Sequence, residues 1–128
     1  MKKVILFLFA IIVSTISFCQ DYNRIIKATK YEYNNKEWEK VSETFPEEEF
    51  VILDTWDITI GTYKIRAYGE VEENKYEKHT TYTWKAVNKN GDKCYFMMKK
   101  FDPEVTTNII FSVVYDEGIM FQYETQNQ

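Results

Sequence analysis

Alternation of apolar and polar residues with a period of two is the feature that most limits how this chain can fold. The clearest case is a pair of segments, His79 to Lys89 and Asp92 to Phe101, separated by Asn90-Gly91. One face of the pair carries Tyr82, Trp84, Ala86, Cys94, Phe96 and Met98, and the other carries Thr81, Thr83, Lys85, Lys93, Tyr95 and Met97. Asn-Gly suits the two positive-φ positions of a type I′ turn. The pattern therefore predicts a β-hairpin with a two-residue turn.

A second hairpin is predicted downstream, from Asn108 to Tyr115 and from Ile119 to Thr125. Its link, Asp116-Glu117-Gly118, ends in a glycine that suits a left-handed turn position. The apolar face of this hairpin holds Ile109, Phe111, Val113, Tyr115, Ile119, Phe121 and Tyr123. Pro103 cannot donate to a strand ladder, so it ends the strand that precedes this hairpin.

Weaker alternation marks five upstream strands, namely Ile25–Tyr33, Glu37–Phe45, Phe50–Asp54, Asp57–Ile60 and Tyr63–Tyr68. The polar segment from Glu70 to Lys78 is predicted to be an exposed, mobile connection. Helical periodicity is absent after the N-terminal segment, and most links have hairpin length. The sequence thus predicts an all-β antiparallel meander of eight or nine short strands, closed into a small barrel, with a two-layer β-sandwich as the alternative.

The succession of short strands, the early Trp38 and the inward Phe, Tyr and Ile residues resemble lipocalin-like or calycin-like domains in outline. The Gly-x-Trp opening of those domains is missing. The resemblance therefore implies an architecture and assigns no functional residue.

The N terminus has the layout of a secretory signal peptide. Lys2 and Lys3 precede an uncharged apolar block that ends at Gln20, short of what comfortably crosses a bilayer. Ser17 and Cys19 fit the small positions before a cleavage site, which predicts a signal over residues 1–19 and a single β-rich domain over residues 20–128. The protein is then exported, to the periplasm or the medium, and has no transmembrane segment after processing. The alternative is a lipoprotein anchored through Cys19.

The ending of the signal at Gln20, the segment Asp57-Ile58-Thr59-Ile60 and the segment Gly91-Asp92-Lys93-Cys94-Tyr95-Phe96 resemble short exported proteins of flavobacteria, within the Bacteroidota. That group has no assigned activity. The resemblance implies export and the β fold, and it says nothing about function.

Charge and cysteine content exclude several classes of function. The chain has 16 basic and 20 acidic residues. Loss of Lys2 and Lys3 with the signal leaves 14 basic residues and moves the net charge from −4 to −6, which disfavours nucleic acid as a partner. The processed chain keeps Cys94 alone, so its stability must come from a packed core, and we expect Cys94 to be a buried, inert thiol.

No set of residues in the sequence stands out as a catalytic or metal-binding site. His79, the one histidine, is predicted to be a strand-start or loop residue, and one histidine with one cysteine cannot build a zinc site. Carboxylates such as Glu70, Glu72 and Glu73, or Asp54 and Asp57, are plentiful enough to nominate as a pair. We expect a protein that is not an enzyme and has no cofactor or metal, with a small carboxylate-dependent hydrolase or a structural or inhibitory envelope protein as the alternatives.

Aromatic residues supply the candidate binding site. The chain has 10 Tyr, 9 Phe and 3 Trp, more than a minimal core requires. If the two hairpins are neighbours, Tyr82, Trp84, Phe96, Met98, Phe111 and Tyr123 converge, as candidate ligand-binding residues. The predicted function is therefore a binding or interaction module that uses an aromatic interior or an aromatic surface patch. Its partner would be a small apolar ligand, a glycan or another protein.

Overall fold

A computed structural model describes residues 21–127 of the chain. Nine strands make up this part: β1 (Asp21–Asn34), β2 (Glu37–Thr44), β3 (Phe50–Asp54), β4 (Asp57–Ile60), β5 (Tyr63–Lys75), β6 (His79–Asn88), β7 (Lys93–Phe101), β8 (Ile109–Tyr115) and β9 (Ile119–Asn127). The described chain is all-β, as the alternation predicts. The predicted signal peptide and its cleavage between Cys19 and Gln20 lie outside the described residues.

The strands form one antiparallel sheet that closes into a ring. Neighbours along the chain pair from β3 through to β9, and β1 closes the ring by pairing with β9 along one edge and with β3 along the other. Among the described strands, β2 pairs only with the second half of β1 and stays outside the ring. The fold is thus an eight-stranded barrel with one additional strand, which confirms the barrel and excludes the sandwich alternative.

Side chains of the inward face fill the barrel, because successive residues of a strand point to opposite faces of the sheet. The buried core consists of Ile25, Val51, Leu53, Ile58, Ile60, Ile65, Ala67, Val71, Trp84, Ala86, Cys94, Phe96, Met98, Phe111, Val113 and Tyr115. Burial raises the pKa of the Cys94 thiol to about 11, with smaller contributions from Asp116 and Asp92. The expected buried thiol is confirmed.

The turn between β6 and β7 differs from the prediction. Asn88 and Asp92 close a three-residue loop, in which the Gly91 N–H donates to the Asn88 carbonyl at 3.0 Å. A type I′ turn needs a positive φ at both central residues, but only Gly91, at 87°, has one, and Asn90 does not. The predicted type I′ turn at Asn90-Gly91 is therefore wrong. The Asn88 side-chain oxygen explains the difference, because it accepts the N–H groups of Asn90 and Asp92, each at 2.9 Å.

The polar segment from Glu70 to Lys78 is also not the mobile connection that was predicted. Strand β5 continues through it to Lys75, and Glu72–Lys75 pair with Thr80–Thr83 of β6. Only residues 76–78 connect the two strands, and the Tyr76 N–H donates to the His79 carbonyl at 2.8 Å. Cross-strand pairing holds this segment in the sheet although its side chains are charged.

Candidate functional site

The six aromatic and methionine residues predicted to converge do meet inside the barrel. Ring centroids lie 6.2 Å apart for Tyr82 and Trp84, 5.8 Å for Trp84 and Phe96, and 5.6 Å for Phe96 and Phe111. Met98 lies opposite both Tyr82 and Phe111, and Tyr123 lies opposite Phe111 on the next strand. Four of the six lie in the buried core, and Tyr82 and Tyr123 pack against it half-buried. The role of the set in ligand binding stays a prediction.

The cavity that described residues form beside these rings is small. A cavity of about 10 Å³ lies next to Trp84 and Phe96, with Leu53, Thr55, Trp56, Ile58 and Ala67 completing its wall. Such a volume holds about one water molecule. Trp56, which the sequence analysis did not single out, packs half-buried against the core at this point. The cavity is far below the roughly 300 Å³ at which small-molecule sites begin.

The outward face of the barrel carries a second set of aromatic residues. Strand registers place six side chains directly opposite one another on consecutive strands from β5 to β9 and on to β1: Tyr68, Lys85, Tyr95, Val114, Met120 and Tyr31. We call this set the outer row. Tyr68 and Tyr95 are 40% and 42% exposed, and both flank Lys85. The outer row therefore presents two accessible aromatic rings, one on either side of a cation.

Two recesses meet at this end of the outer row. One of about 170 Å³ is lined by Tyr68, Lys85, Lys93, Cys94, Tyr95 and Asp116. The other, of about 230 Å³, is lined by Glu70, Val71, Glu72, Thr83, Lys85 and Tyr95. Because Lys85 and Tyr95 border both, we treat them together and name them the tyrosine groove. Each recess is smaller than the roughly 300 Å³ at which enclosed small-molecule sites begin, so the groove is an open surface feature.

An irregularity in β5 shapes the groove. The register between β5 and β6 shifts between Tyr68 and Glu72, where the chain passes through Gly69 at a φ of 78°. Val71 turns into the core and is 1% exposed, while Glu70 and Glu72 border the outer recess. A bulge of this kind redirects side chains and bends its strand. Here it opens the sheet surface beside Tyr68 and gives the groove an acidic wall.

The groove carries charges of both signs. Glu70 and Glu72 line one recess, Lys93 and Asp116 line the other, and Lys85 belongs to both. Thr83 adds a hydroxyl that can donate or accept a hydrogen bond. Such a lining suits a ligand with many neutral polar groups better than one with a strong charge of either sign.

Of the carboxylates nominated for catalysis, Glu70 and Glu72 border the tyrosine groove, whereas Asp54 and Asp57 lie at the β3–β4 turn. Asp57 lies opposite Asp54 across the β3–β4 turn, and its Oδ1 accepts a hydrogen bond from Arg66 Nε at 2.9 Å. This contact lowers the pKa of Asp57, the opposite of what a glycosidase acid needs. His79 begins β6, as predicted, and stacks on Tyr76 with centroids 4.6 Å apart. Between residues 21 and 127 no group of three or more His, Cys, Asp or Glu side chains is placed to hold a metal ion.

The alternation in the β6–β7 hairpin correctly places Lys85 and Tyr95 on the outward face of the sheet. These two residues border both recesses of the tyrosine groove. The contribution of β5 was missed because its bulge interrupts the alternation after Tyr68. Within the described part of the chain, no helix is long and apolar enough to span a bilayer. Comparison with protein-family models, with curated proteins and with solved structures finds no significant match.

Proposed function

We propose that this protein is an exported binding module that takes a neutral oligosaccharide in the tyrosine groove. The observation that carries the proposal is the pair of half-exposed rings, Tyr68 and Tyr95, on the two strands that flank Lys85. Neighbouring strands lie about 4.8 Å apart, so the two rings are separated by about 10 Å across the sheet. A short chain of sugar units spans such a distance and can stack on both rings.

The chemistry of the lining favours sugar hydroxyls. A tyrosine ring offers an apolar face to the C–H groups of a pyranose and keeps its hydroxyl available for hydrogen bonds. Glu70 and Glu72 accept hydrogen bonds, Lys85 donates them, and Thr83 does both. A polyanionic ligand would meet the two glutamates, and a cationic ligand would meet Lys85 and Lys93.

An interior ligand is less favoured for a steric reason. Trp84, Phe96 and Phe111 are each no more than 3% exposed and pack on one another. A ligand of ordinary size would have to separate these rings and give up their packing. The outer groove needs no such rearrangement.

NMR titration of the purified, exported protein with a panel of neutral oligosaccharides tests the proposal. Binding should shift the backbone amide resonances of residues 83–85 and 93–95. Tyr95→Ala and Tyr68→Ala should each weaken binding about tenfold through loss of a stacked ring. Tyr76→Ala is the matched control, because Tyr76 is 57% exposed and lies outside the groove. Binding by none of the sugars, or shifts confined to the core around Trp84 and Phe111, would overturn the proposal.

A further inference from the structure

Strand β2 and the second half of β1 form a hairpin that the barrel does not use for closure. All eight residues of β2 are exposed. Within the described chain β2 pairs with β1 alone, so the other edge of β2 is open. The hairpin nevertheless carries apolar side chains, with Tyr33 49% exposed, Trp38 40% and Val41 50%, and Phe45, which directly follows β2, is 67% exposed. An open edge with exposed apolar residues is a template for pairing with another strand.

The tip of the hairpin sets the orientation of the open edge. Asn35 and Lys36 have φ values of 50° and 67°, which makes their turn type I′ and Asn34 opposite Glu37 its closing pair. In such a hairpin the two closing residues form backbone hydrogen bonds with each other. The N–H and carbonyl groups of every second residue then point away from the partner strand. Trp38 and Lys40 therefore turn their N–H and carbonyl groups toward the open edge.

A bulge brings two opposite charges onto one face of β2. Lys40 lies opposite Tyr31 and Glu43 opposite Thr29, with Val41 as the extra residue between the paired positions. Lys40 and Glu43 consequently share the outward face, where Lys40 Nζ lies 2.8 Å from Glu43 Oε1. The open edge thus carries a cation and an anion side by side, three residues apart in sequence.

We propose that the open edge of β2 binds β2 of a second copy of this chain, antiparallel, with Lys40 of each copy opposite Glu43 of the other. The two copies are related by a twofold axis between Val41 and Ser42, so each contact occurs twice. The same register sets Trp38 of one copy opposite Phe45 of the other, once pairing extends β2 by the one residue that follows it. Two charge pairs in the centre are then flanked by two aromatic pairs, both favourable cross-strand combinations.

Neighbouring registers lack this complementarity. A shift by one residue in one direction puts Glu39 opposite Glu43, and like charges that face each other across a strand pair are destabilising. A shift in the other direction puts Glu39 opposite Phe45 and leaves Lys40 opposite Thr44. Charge complementarity therefore selects the register as well as the partner. The dimer should be weak, since one strand edge buries less than a standard interface of about 1,600 Å².

Charge reversal tests the pairing. Lys40→Glu and Glu43→Lys each turn both central contacts into repulsive ones and should raise the dissociation constant about tenfold, measured by analytical ultracentrifugation of the purified, exported protein. Each variant also loses the ion pair within its own chain, so loss of association alone does not identify the contact.

A mixture of the two variants separates the possibilities. In the mixed dimer, the glutamate introduced at position 40 of one chain faces the lysine introduced at position 43 of the other. Association should therefore return to the wild-type level, while the pair within each chain stays broken. Lys78→Glu and Glu104→Lys are the control, because they reverse an exposed ion pair of 3.4 Å away from β2 and should leave association unchanged. A wild-type chain that remains monomeric at millimolar concentration, or a mixture that associates no better than its components, would overturn the proposal.

Discussion

Replacing Asn23 with leucine should stabilise the protein. The Asn23 side chain is inward, fully buried and opposite Val51, and in the described part of the chain neither its Nδ2 nor its Oδ1 has a hydrogen-bond partner. Burial of a polar group without a partner costs about 1 to 3 kcal/mol. Leucine has the same number of side-chain heavy atoms as asparagine, so it removes the polar atoms and leaves no cavity.

The expected gain is about 1 to 3 kcal/mol in the free energy of unfolding. Urea unfolding followed by intrinsic fluorescence should show a higher midpoint with an unchanged slope, since the surface exposed on unfolding is nearly the same. In a domain of this size, each kcal/mol raises Tm by about 4 to 8 °C, which calorimetry resolves easily.

Thr125 provides a matched control, because its substitution should change the free energy of unfolding in the opposite direction. Its side chain is also fully buried, but its Oγ1 donates to the Ile109 carbonyl at 2.8 Å. Thr125→Val removes a hydrogen bond that is made and should cost about 1 kcal/mol. If Asn23→Leu lowers stability as Thr125→Val does, the amide of Asn23 is satisfied in solution and the reasoning fails.

Three further predictions concern ionisation and processing. Cys94, with a thiol pKa raised to about 11 by burial, should resist alkylation at pH 8 until urea unfolds the protein; rapid labelling of the folded protein would contradict this. Arg66 lowers the pKa of Asp57, so their stabilisation should be present above the ordinary carboxyl pKa and lost as pH falls through the lower folded value. Asp57→Asn should make the loss of stability at acid pH only slightly less steep, because both side chains are largely exposed and solvent screens the pair; an unfolding midpoint that varies with pH just as in the wild type would contradict this. Mass spectrometry of the protein expressed with its N-terminal segment should find Gln20 as the first residue; an acylated Cys19 would instead establish the lipoprotein alternative, and an intact N terminus would contradict both.

Most of the barrel could be predicted from alternation alone. Wherever the period of two is unbroken, as in β6 and β7, the sequence assigns every side chain to the correct face, and Trp84 lies opposite Phe96 as expected. Strands β3 and β4 were predicted with the bounds that they have in the structure. Closure into a barrel was the preferred prediction, with the two-layer sandwich as the alternative, because either arrangement deals with the exposed edges of a meander.

The errors arise where side chains override local preference. Asn90-Gly91 has the composition of a type I′ turn, yet the carboxamide of Asn88 accepts two backbone N–H groups and selects the longer loop. The segment after Tyr68 has the polar composition of a loop, but its partners in β6 hold it in the sheet. The tyrosine groove depends on that segment, so a correct site prediction required a contact that lies outside the local sequence.

Strand β1 is both the first element of the described chain and the only one there that completes the ring, since it joins β3 on one side and β9 on the other. Asn23 cannot meet Asn127 before β9 has been synthesised. Pairing between residues so far apart makes folding slow. The ring therefore stays open until β9 is available, and a truncation that removes β9 would leave two unpaired edges, on β1 and on β8, in place of a smaller barrel.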